Sequence, residues 1–179
     1  AKQVFTQRPE LDIASYFPHQ EVIKLDSETT KFRVVFDGSA GPYAVNKYLH
    51  KGEFDMNLID RVMDFRLEPI AITSDIEKAF LQICIKEQDQ DWLRYLWKKD
   101  GHLQIFKMTR VPFGITSAPA ILAQTIQAQL IKYKEVYPAT VNRLLSAFYM
   151  DDLVTSLKSF DDAVQLKSEA EVIFLEAKL

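Results

Sequence analysis

Two adjacent acidic residues, Asp151 and Asp152, interrupt an apolar segment that runs from Leu144 to Val154. Asp is a poor strand former and a good turn former, so the segment is predicted to fold as a β-hairpin with both acids at its tip. A hairpin would hold the two carboxylates on a rigid support, which suits the binding of a divalent metal ion. An ordinary acidic turn is the alternative, and it is the commoner one for such a pair taken alone.

A third acid, Asp75, ends the apolar segment Pro69–Ser74. This pattern predicts a buried strand with the acid at its carboxyl end, where sites on sheets often lie. Asp75 precedes Asp151 by 76 residues (151 − 75), and two adjacent strands of one sheet would bring the acids together. Three carboxylates around two Mg²⁺ ions suit phosphoryl or nucleotidyl transfer, because the ions activate the attacking hydroxyl and stabilise the leaving pyrophosphate. The alternative for Asp75 is a helix N-cap.

The size and composition of the chain limit the other possibilities. A length of 179 residues is enough for one compact domain or two small subdomains. No segment approaches the ~18 apolar residues of a membrane helix, so no membrane partner is expected. The only cysteine, Cys84, excludes an intrachain disulfide and a cysteine-rich zinc site, and we expect it to be a small packed side chain. These features fit an intracellular protein.

The net charge of −3 counts mildly against a nucleic-acid binder, which usually has a basic surface. The basic residues are clustered, however, as in Lys31 with Arg33 and Lys107 with Arg110, so a local basic groove is compatible with this charge. The chain starts without a signal peptide or an initiator Met and stops inside a helical pattern at residues 176–179. We therefore expect it to be a piece of a longer polypeptide.

Strand and helix patterns alternate irregularly along the chain. Extended segments are predicted at residues 21–25, 31–36, 69–75, 81–86, 93–97 and 103–108, and helices at residues 57–66, from Thr116 and from about Ser159. A polar tip at residues 26–30 and the pair Asp100-Gly101 indicate hairpins. Ser159 with Asp162 is a helix capping box. The pattern predicts an α+β fold rather than a doubly wound parallel sheet.

Four motifs in this order resemble those of a reverse transcriptase, an RNA-directed DNA polymerase. They are residues 31–37 (Lys-Phe-Arg-Val-Val-Phe-Asp), 74–80 (Ser-Asp-Ile-Glu-Lys-Ala-Phe), 111–114 (Val-Pro-Phe-Gly) and 149–152 (Tyr-Met-Asp-Asp). The similarity covers nearly the whole chain and is greatest to long-terminal-repeat retrotransposons of the BEL/Pao group. It implies the fingers and palm of a right-hand polymerase, with an antiparallel palm sheet backed by helices and the thumb absent. The fingers would be residues 1–50 and 83–117, and the palm residues 51–82 and 118–179.

The resemblance also implies roles for the residues of the acidic site. Asp75, Asp151 and the backbone carbonyl of Ile76 would bind two Mg²⁺ ions, for which Mn²⁺ would be a substitute, and Asp152 would be the supporting acid. Tyr149 and Met150 would lie beside the primer end and the template base. The alternative for those two residues is packing within the hairpin.

A second set of residues is implied to contact the incoming deoxynucleoside triphosphate (dNTP). Arg33 would clamp the triphosphate, with Lys24 as a second cation; a solvated lysine on an edge strand is the alternative for Lys24. Phe80 would lie beneath the sugar and exclude a 2′-hydroxyl, unless it is a core residue. Phe113 and Gly114 would form a nucleotide-facing turn, in which retroviral relatives commonly carry Gln at the Phe113 position.

The implied activity is two-metal nucleotidyl transfer from a dNTP to a primer 3′-hydroxyl on an RNA or DNA template. The chain would be part of a retrotransposon pol polyprotein in the cytoplasm or a virus-like particle, with the thumb, ribonuclease H and integrase expected beyond it. An alternative is a catalytically inactive remnant that binds only nucleic acid or protein. An RNA-dependent RNA polymerase is a third possibility, but Phe80 argues against it because ribonucleotide users need a small or polar group there.

Overall fold

The computed structural model describes residues 2–4, 14–26, 31–53 and 57–177. The chain divides into two compact units. Unit 1 comprises Ala1–Lys51 and Ile83–Ala118, and unit 2 comprises Gly52–Gln82 and Pro119–Leu179. Each unit therefore combines two separate stretches of the sequence.

Strands and helices alternate along the described residues. The strands are β1 (Lys2–Val4), β2 (His19–Ile23), β3 (Phe32–Phe36), β4 (Ile70–Asp75), β5 (Arg94–Lys99), β6 (His102–Lys107), β7 (Phe148–Tyr149) and β8 (Asp152–Leu157). The helices are α1 (Leu58–Asp64), α2 (Ala79–Gln82), α3 (Ala118–Lys132), α4 (Pro138–Ala147) and α5 (Phe160–Ala177). Short 3₁₀ helices span Val45–Lys47 and Glu87–Leu93. The predicted α+β fold is confirmed.

Unit 1 contains a three-stranded sheet in the order β1-β6-β5 and a two-stranded sheet of β2 and β3, with all pairs antiparallel. Asp100 and Gly101 connect β5 to β6 with φ angles of 52° and 79°, and the predicted hairpin is confirmed. Positive φ at both central residues characterises the type I′ turn, which matches the twist of the flanking strands. The tip predicted between β2 and β3 includes residues 27–30, which lie outside the described residues.

Aromatic packing fixes the end of β3 inside unit 1. The ring of Phe36 lies 5.0 Å from that of Phe17 and 5.1 Å from that of Tyr95, measured between centroids. Phe17 is buried, as are Val111 and Ile115 farther along the chain. The carboxyl end of β3 is thus anchored in the core, while the rest of the strand is exposed.

Unit 2 contains an antiparallel sheet in the order β4-β8-β7 together with the long helices. The side chains of Leu122, Leu130, Leu144 and Ile173 are fully buried in its core. The Gln129 side chain donates a hydrogen bond to the Ile173 carbonyl at 2.8 Å and so connects α3 to α5. Ser159 caps the start of α5, because its Oγ accepts from the Asp162 N–H at 3.1 Å, and it also donates to the Asp162 carboxylate at 2.7 Å.

The prediction that β4 is a buried strand is wrong. Its residues are half-buried or exposed, because β4 lies at the edge of the sheet and pairs only with β8 among the described strands. A cavity of about 780 Å³ runs along β4 and α5. The apolar composition of β4 therefore did not lead to burial, because burial also requires neighbouring elements, and among the described strands β4 has one on one side only.

Three further predictions need correction. Leu81 and Gln82 belong to α2, and of the extended segment predicted at residues 81–86 only Cys84 forms a bridge, with Arg110. Cys84 is exposed rather than packed; hydrogen bonds satisfy the backbone of such a bridge without covering the side chain.

The acidic hairpin begins at Phe148, because Leu144–Ala147 form the end of α4. Pro138 starts this helix at a position where its missing N–H costs nothing.

Within the described residues, no helix combines the length and the apolarity needed to cross a membrane.

Candidate active site

The acidic hairpin places its two carboxylates at a tight turn. Tyr149 pairs with Asp152, so Met150 and Asp151 form a two-residue loop between β7 and β8. Met150 has a φ of 56°, in the left-handed region that costs a residue other than glycine about 1–2 kcal/mol. Phe148 and Leu153, on either side of the turn, are buried. The packed flanks hold the turn in this conformation, as predicted for a rigid support.

The third acid lies on the neighbouring strand. Asp75 is directly opposite Asp152 in the register of β4 and β8. The Ile76 backbone N–H donates a hydrogen bond to the Asp151 carbonyl at 3.1 Å, which joins the end of β4 to the hairpin loop. The adjacent strands β4 and β8 thus bring the three acids to one end of the sheet. The sequence predicted this arrangement from the spacing of the acids and their positions at strand ends.

Burial and the repulsion among these acids raise the pKa of Asp75 above its usual value. Desolvation is the largest cause, followed by the negative charges of Asp151 and Asp152 and then that of Glu77. A raised pKa means that the folded chain disfavours the ionised form of Asp75. A bound cation would relieve this repulsion, so the electrostatics of the site favour cation binding.

Asp75→Asn is expected to raise the thermal midpoint of unfolding at neutral pH. Because the folded-state pKa of Asp75 is raised, the wild-type chain loses stability as the pH rises through that pKa, and the neutral amide avoids this loss. The gain should shrink as the pH falls and the wild-type carboxyl becomes protonated. Thermal melts of both proteins at about pH 7 and about pH 4 test this. A lower midpoint for the variant at neutral pH would contradict the expectation.

The oxygen atoms at this end of the sheet suit a hard divalent cation whose coordination is completed by other ligands. Within the described part of the chain, no group of three His, Cys, Asp or Glu side chains is arranged to hold a metal ion on its own. Asp75, Asp151 and the Ile76 carbonyl nevertheless supply hard oxygen donors, and that carbonyl accepts one hydrogen bond, from Ala79 at 3.2 Å. Proteins commonly bind Mg²⁺ through one or two carboxylates completed by substrate phosphates and water.

Phe80 lies in α2, close in sequence to the acidic site. It is 5% exposed, which agrees with the alternative that Phe80 is a core residue; its proposed contact with the sugar is not tested by this burial. Tyr149 and Met150 are half-buried beside the two acids of the hairpin.

In unit 1, the β2–β3 hairpin carries three exposed cations on one face. Arg33 pairs with Val22, and the Lys24 N–H donates to the Lys31 carbonyl at 2.9 Å, which continues the same register. Paired residues and alternate residues along a strand share a face, so Lys24, Lys31 and Arg33 project from the same side. Lys31 was noted in the sequence only as part of a basic cluster, although alternation along the predicted strand places it on the same face as Arg33.

The turn before α3 packs against the end of β3. Phe113 is 52% exposed, and Gly114 has a φ of 94°. A Cβ atom on Gly114 would lie 2.1 Å from the Phe36 carbonyl oxygen. The backbone of this turn therefore approaches β3 at a distance that only glycine permits. Within unit 1, the two residues predicted to face the nucleotide are held against the strand that carries Arg33.

Comparisons with known proteins identify the family and the fold of this chain. The sequence profile of the family described as "Reverse transcriptase (RNA-dependent DNA polymerase)" matches residues 45–179. A comparison with curated proteins found no match. A foamy viral protease-reverse transcriptase in complex with an RNA/DNA hybrid has a similar fold, with a TM-score of 0.66 and 22% identity over 92% of this chain and 20% of that chain. The native prototype foamy virus protease-reverse transcriptase gives a TM-score of 0.67 and 20% identity, with the same coverage.

This chain thus spans about a fifth of the length of those two proteins, and it shares their fold. The family profile covers most of the chain and includes all the acids at the end of the unit 2 sheet. The chain belongs to the reverse transcriptase (RNA-dependent DNA polymerase) family.

Proposed function

We propose that this chain contains the polymerase site of an RNA-directed DNA polymerase. The primer 3′-oxygen would attack the α-phosphorus of a dNTP, forming the new phosphodiester bond and releasing pyrophosphate, on an RNA or DNA template. The observation that carries the proposal is the register of unit 2, in which Asp75 lies opposite Asp152 and Ile76 is hydrogen-bonded to Asp151. Membership of the family supports the reaction class.

Two Mg²⁺ ions, or Mn²⁺ as a substitute, would be held by Asp75, Asp151 and the Ile76 carbonyl, with Asp152 as the supporting acid. When bound, they would lower the pKa of the 3′-hydroxyl and neutralise charge on the triphosphate. The contribution of the protein is to hold the carboxylates together despite their repulsion, which the raised pKa of Asp75 reflects. The burial of Phe148 and Leu153, on either side of the turn, stabilises the hairpin against this repulsion.

The triphosphate would be bound by Arg33, with Lys24 as a second cation. A guanidinium binds phosphate oxygens through two parallel hydrogen bonds, whereas an ammonium acts as a point charge. The shared face of β2 and β3 supports this assignment and adds Lys31 to the cations available there.

Phe80→Ala is expected to increase the incorporation of ribonucleotides relative to deoxynucleotides by ~10-fold or more, because the smaller side chain would leave space for a 2′-hydroxyl. The measurement is the ratio of kcat/KM for a dNTP to that for the matching ribonucleotide. This ratio is independent of the folded fraction of the variant.

Phe17→Ala is the control for the sugar-selectivity measurement, because Phe17 is a similarly buried ring in unit 1, 4% exposed against 5% for Phe80. It should leave the ratio unchanged. Unchanged selectivity in Phe80→Ala would remove the gate role and leave Phe80 as a core residue.

The remaining contacts are assigned to two turns. Phe113 and Gly114 would face the nucleotide, with packing against Phe113 replacing the polar contact of a glutamine. Tyr149 and Met150 would lie beside the primer end and the template base. The exposure of Phe113 and the position of Tyr149 and Met150 next to the acids support these roles.

We assign residues 1–50 and 83–117 to the fingers and residues 51–82 and 118–179 to the palm. This division is supported by the two compact units, whose limits lie within one residue of it. Unit 2 combines an antiparallel sheet with long helices, which are the elements expected of a palm.

The biological setting is also a proposal. We assign the chain to the pol polyprotein of a BEL/Pao-like retrotransposon, on the basis of the motifs at residues 31–37, 74–80 and 111–114. The polyprotein would act in the cytoplasm or a virus-like particle and would also contain a thumb, ribonuclease H and integrase. A template with its primer is the expected nucleic-acid partner, which the RNA/DNA hybrid bound by a foamy viral relative supports.

Primer extension on an RNA template, with Mg²⁺ or Mn²⁺ and dNTPs, tests the proposed function. Extension by this chain would establish a self-sufficient catalytic core. Failure on both RNA and DNA templates, with the metal and dNTP-binding tests below also negative, would refute it.

A catalytically inactive remnant is the second candidate, and one observation favours it. In the described residues, the acids do not form a cluster of three that holds a metal ion unaided. The two candidates differ in how Mn²⁺ binding responds to nucleotide. A polymerase site should bind Mn²⁺ much more tightly when a dNTP is present, because the phosphates complete the coordination. A remnant should show no such dependence.

A further inference from the structure

Asn46 forms hydrogen bonds to two other segments of unit 1. Its backbone N–H donates to the Gly38 carbonyl at 2.9 Å. Its side-chain Nδ2 donates to Ser39 Oγ and to the Gly114 carbonyl, both at 2.9 Å. Its Oδ1 accepts from the Thr116 N–H at 2.8 Å. One short side chain thus joins the loop after β3 to the turn before α3.

The segments that Asn46 joins are also in close contact with each other. A Cβ atom on Gly38 would lie 2.6 Å from the Gly114 carbonyl oxygen and 2.9 Å from each polar side-chain atom of Asn46. A Cβ atom on Gly114 would lie 2.1 Å from the Phe36 carbonyl oxygen. Two glycines on opposite sides of the contact therefore allow the Asn46 amide to bridge the two backbones.

We propose that Asn46 is a positioning residue that fixes the Phe113–Gly114 turn against the end of β3, the strand that carries Arg33. The inference rests on the proposed function, in which these residues of unit 1 contact the dNTP. By holding them in one arrangement before the nucleotide arrives, Asn46 lowers the ordering cost of binding. Asn46 itself is not assigned a contact with the substrate.

The side chain of asparagine meets the requirements of this position. The position needs a donor for the Gly114 carbonyl and an acceptor for the Thr116 N–H on one rigid amide. Aspartate supplies only acceptors, so it would keep the bond from Thr116 and place a carboxylate oxygen against the Gly114 carbonyl. Alanine would lose both bonds. The two substitutions therefore separate the acceptor function of Asn46 from its donor function.

Amide hydrogen exchange, measured by NMR on this chain, tests the structural half of the proposal. Asn46→Ala should accelerate exchange of the Thr116 amide by ~10-fold relative to wild type. Asn46→Asp should leave the exchange rate of that amide close to the wild-type rate, because the carboxylate still accepts its hydrogen bond. Met108, whose N–H donates to the Leu93 carbonyl, is the reference amide that should not change. Lys47→Ala is the matched control, since the Lys47 side chain donates to the Pro42 carbonyl at 3.2 Å and, among the described residues, makes no hydrogen bond to the Phe113–Gly114 turn.

Equilibrium binding of dGTP with Mg²⁺ tests the functional half. Asn46→Ala and Asn46→Asp should each weaken dGTP binding by ~10-fold, while Lys47→Ala leaves it unchanged. If Asn46 acts through the turn, Phe113→Ala should weaken binding less in the Asn46→Ala background than in the wild-type chain. A merely structural role would give additive effects of the two substitutions.

The outcomes separate failure of this inference from failure of the proposed function. Unchanged Thr116 exchange in Asn46→Ala would overturn the inference whatever the binding results. Faster exchange with unchanged or additive dGTP affinities would also overturn it, because the turn would then have moved without consequence for the nucleotide. If the wild-type chain binds no dGTP, the nucleotide role of Asn46 fails, and the exchange data alone decide whether Asn46 holds the turn. The proposed function fails as well only if primer extension and metal binding are also negative.

Discussion

Asp151→Asn is expected to reduce the kcat/KM of primer extension by at least ~10³-fold, which corresponds to ~4 kcal/mol of transition-state stabilisation. Asn has nearly the shape of Asp, so the hairpin turn should keep its backbone bond from Ile76. The amide oxygen carries no negative charge and is therefore a much weaker ligand than a carboxylate for a hard divalent cation. Single-nucleotide extension by the wild-type and variant chains measures this effect.

Binding of Mn²⁺ in the presence of a dNTP, followed by electron paramagnetic resonance, gives a second measurement that needs no turnover. Asp151→Asn should weaken this binding strongly. Glu77→Gln is the matched control, because Glu77 contributes to the same negative potential at Asp75 but is exposed and paired with Lys78 at 2.6 Å. We expect Glu77→Gln to keep most of the extension activity and Mn²⁺ binding.

Two results would contradict the metal-site assignment. Undiminished extension by Asp151→Asn would show that Asp151 is not a ligand. Equal losses in Asp151→Asn and Glu77→Gln would show that the site depends on its overall negative potential rather than on specific carboxylates.

The position of the acids was predictable because each lies at a boundary that local sequence marks. Asp75 ends an apolar segment, and Asp151 and Asp152 interrupt another. The only long-range assumption was that the two strands are adjacent, which the register confirms. The hairpin at Asp100-Gly101 and the helix cap at Ser159 were predictable for the same reason, since both depend on a few neighbouring residues.

The exposure of β4 and the existence of α4 could not be predicted from local sequence in this way. Hydropathy describes the composition of a segment, whereas burial depends on what packs against it. A cavity lies along β4 and α5, so part of β4 has no packed neighbour there. Leu144–Ala147 form an apolar run too short to distinguish a helix end from a strand. Pro138 is consistent with either the end of one helix or the start of the next, and here it starts α4.

The role of Asn46 had no local signal at all. Its hydrogen bond to the Gly114 carbonyl joins residues 68 positions apart, and a single asparagine in a loop has many possible partners. Gly114 itself was identified by its motif, but the reason for glycine at that position is its contact with Phe36, which appears only in the folded chain. Side-chain hydrogen bonds between distant loops of unit 1 therefore cannot be predicted from local sequence.

Gly114→Ala is expected to be among the most destabilising single substitutions in unit 1, at ~3 kcal/mol, and to abolish dNTP binding. About 1 kcal/mol would come from the positive φ of 94°, and about 2 kcal/mol from overpacking, because the new Cβ would lie 2.1 Å from the Phe36 carbonyl oxygen. The obstacle is backbone and cannot rotate away. Relief therefore requires the turn to separate from β3, which would also break the bond from Asn46. Thermal unfolding should show a midpoint lower by roughly 6–12 °C.

Gly41→Ala separates the two contributions to this loss of stability. Gly41 also belongs to unit 1 and has a φ of 81°, but nothing lies within 4 Å of the position that a Cβ would occupy. It should therefore cost only the conformational ~1 kcal/mol and leave dNTP binding unchanged. If Gly114→Ala cost no more than Gly41→Ala, the close approach of the turn to β3 would be refuted. Because the proposed role of Asn46 depends on that approach, the same result would remove its physical basis.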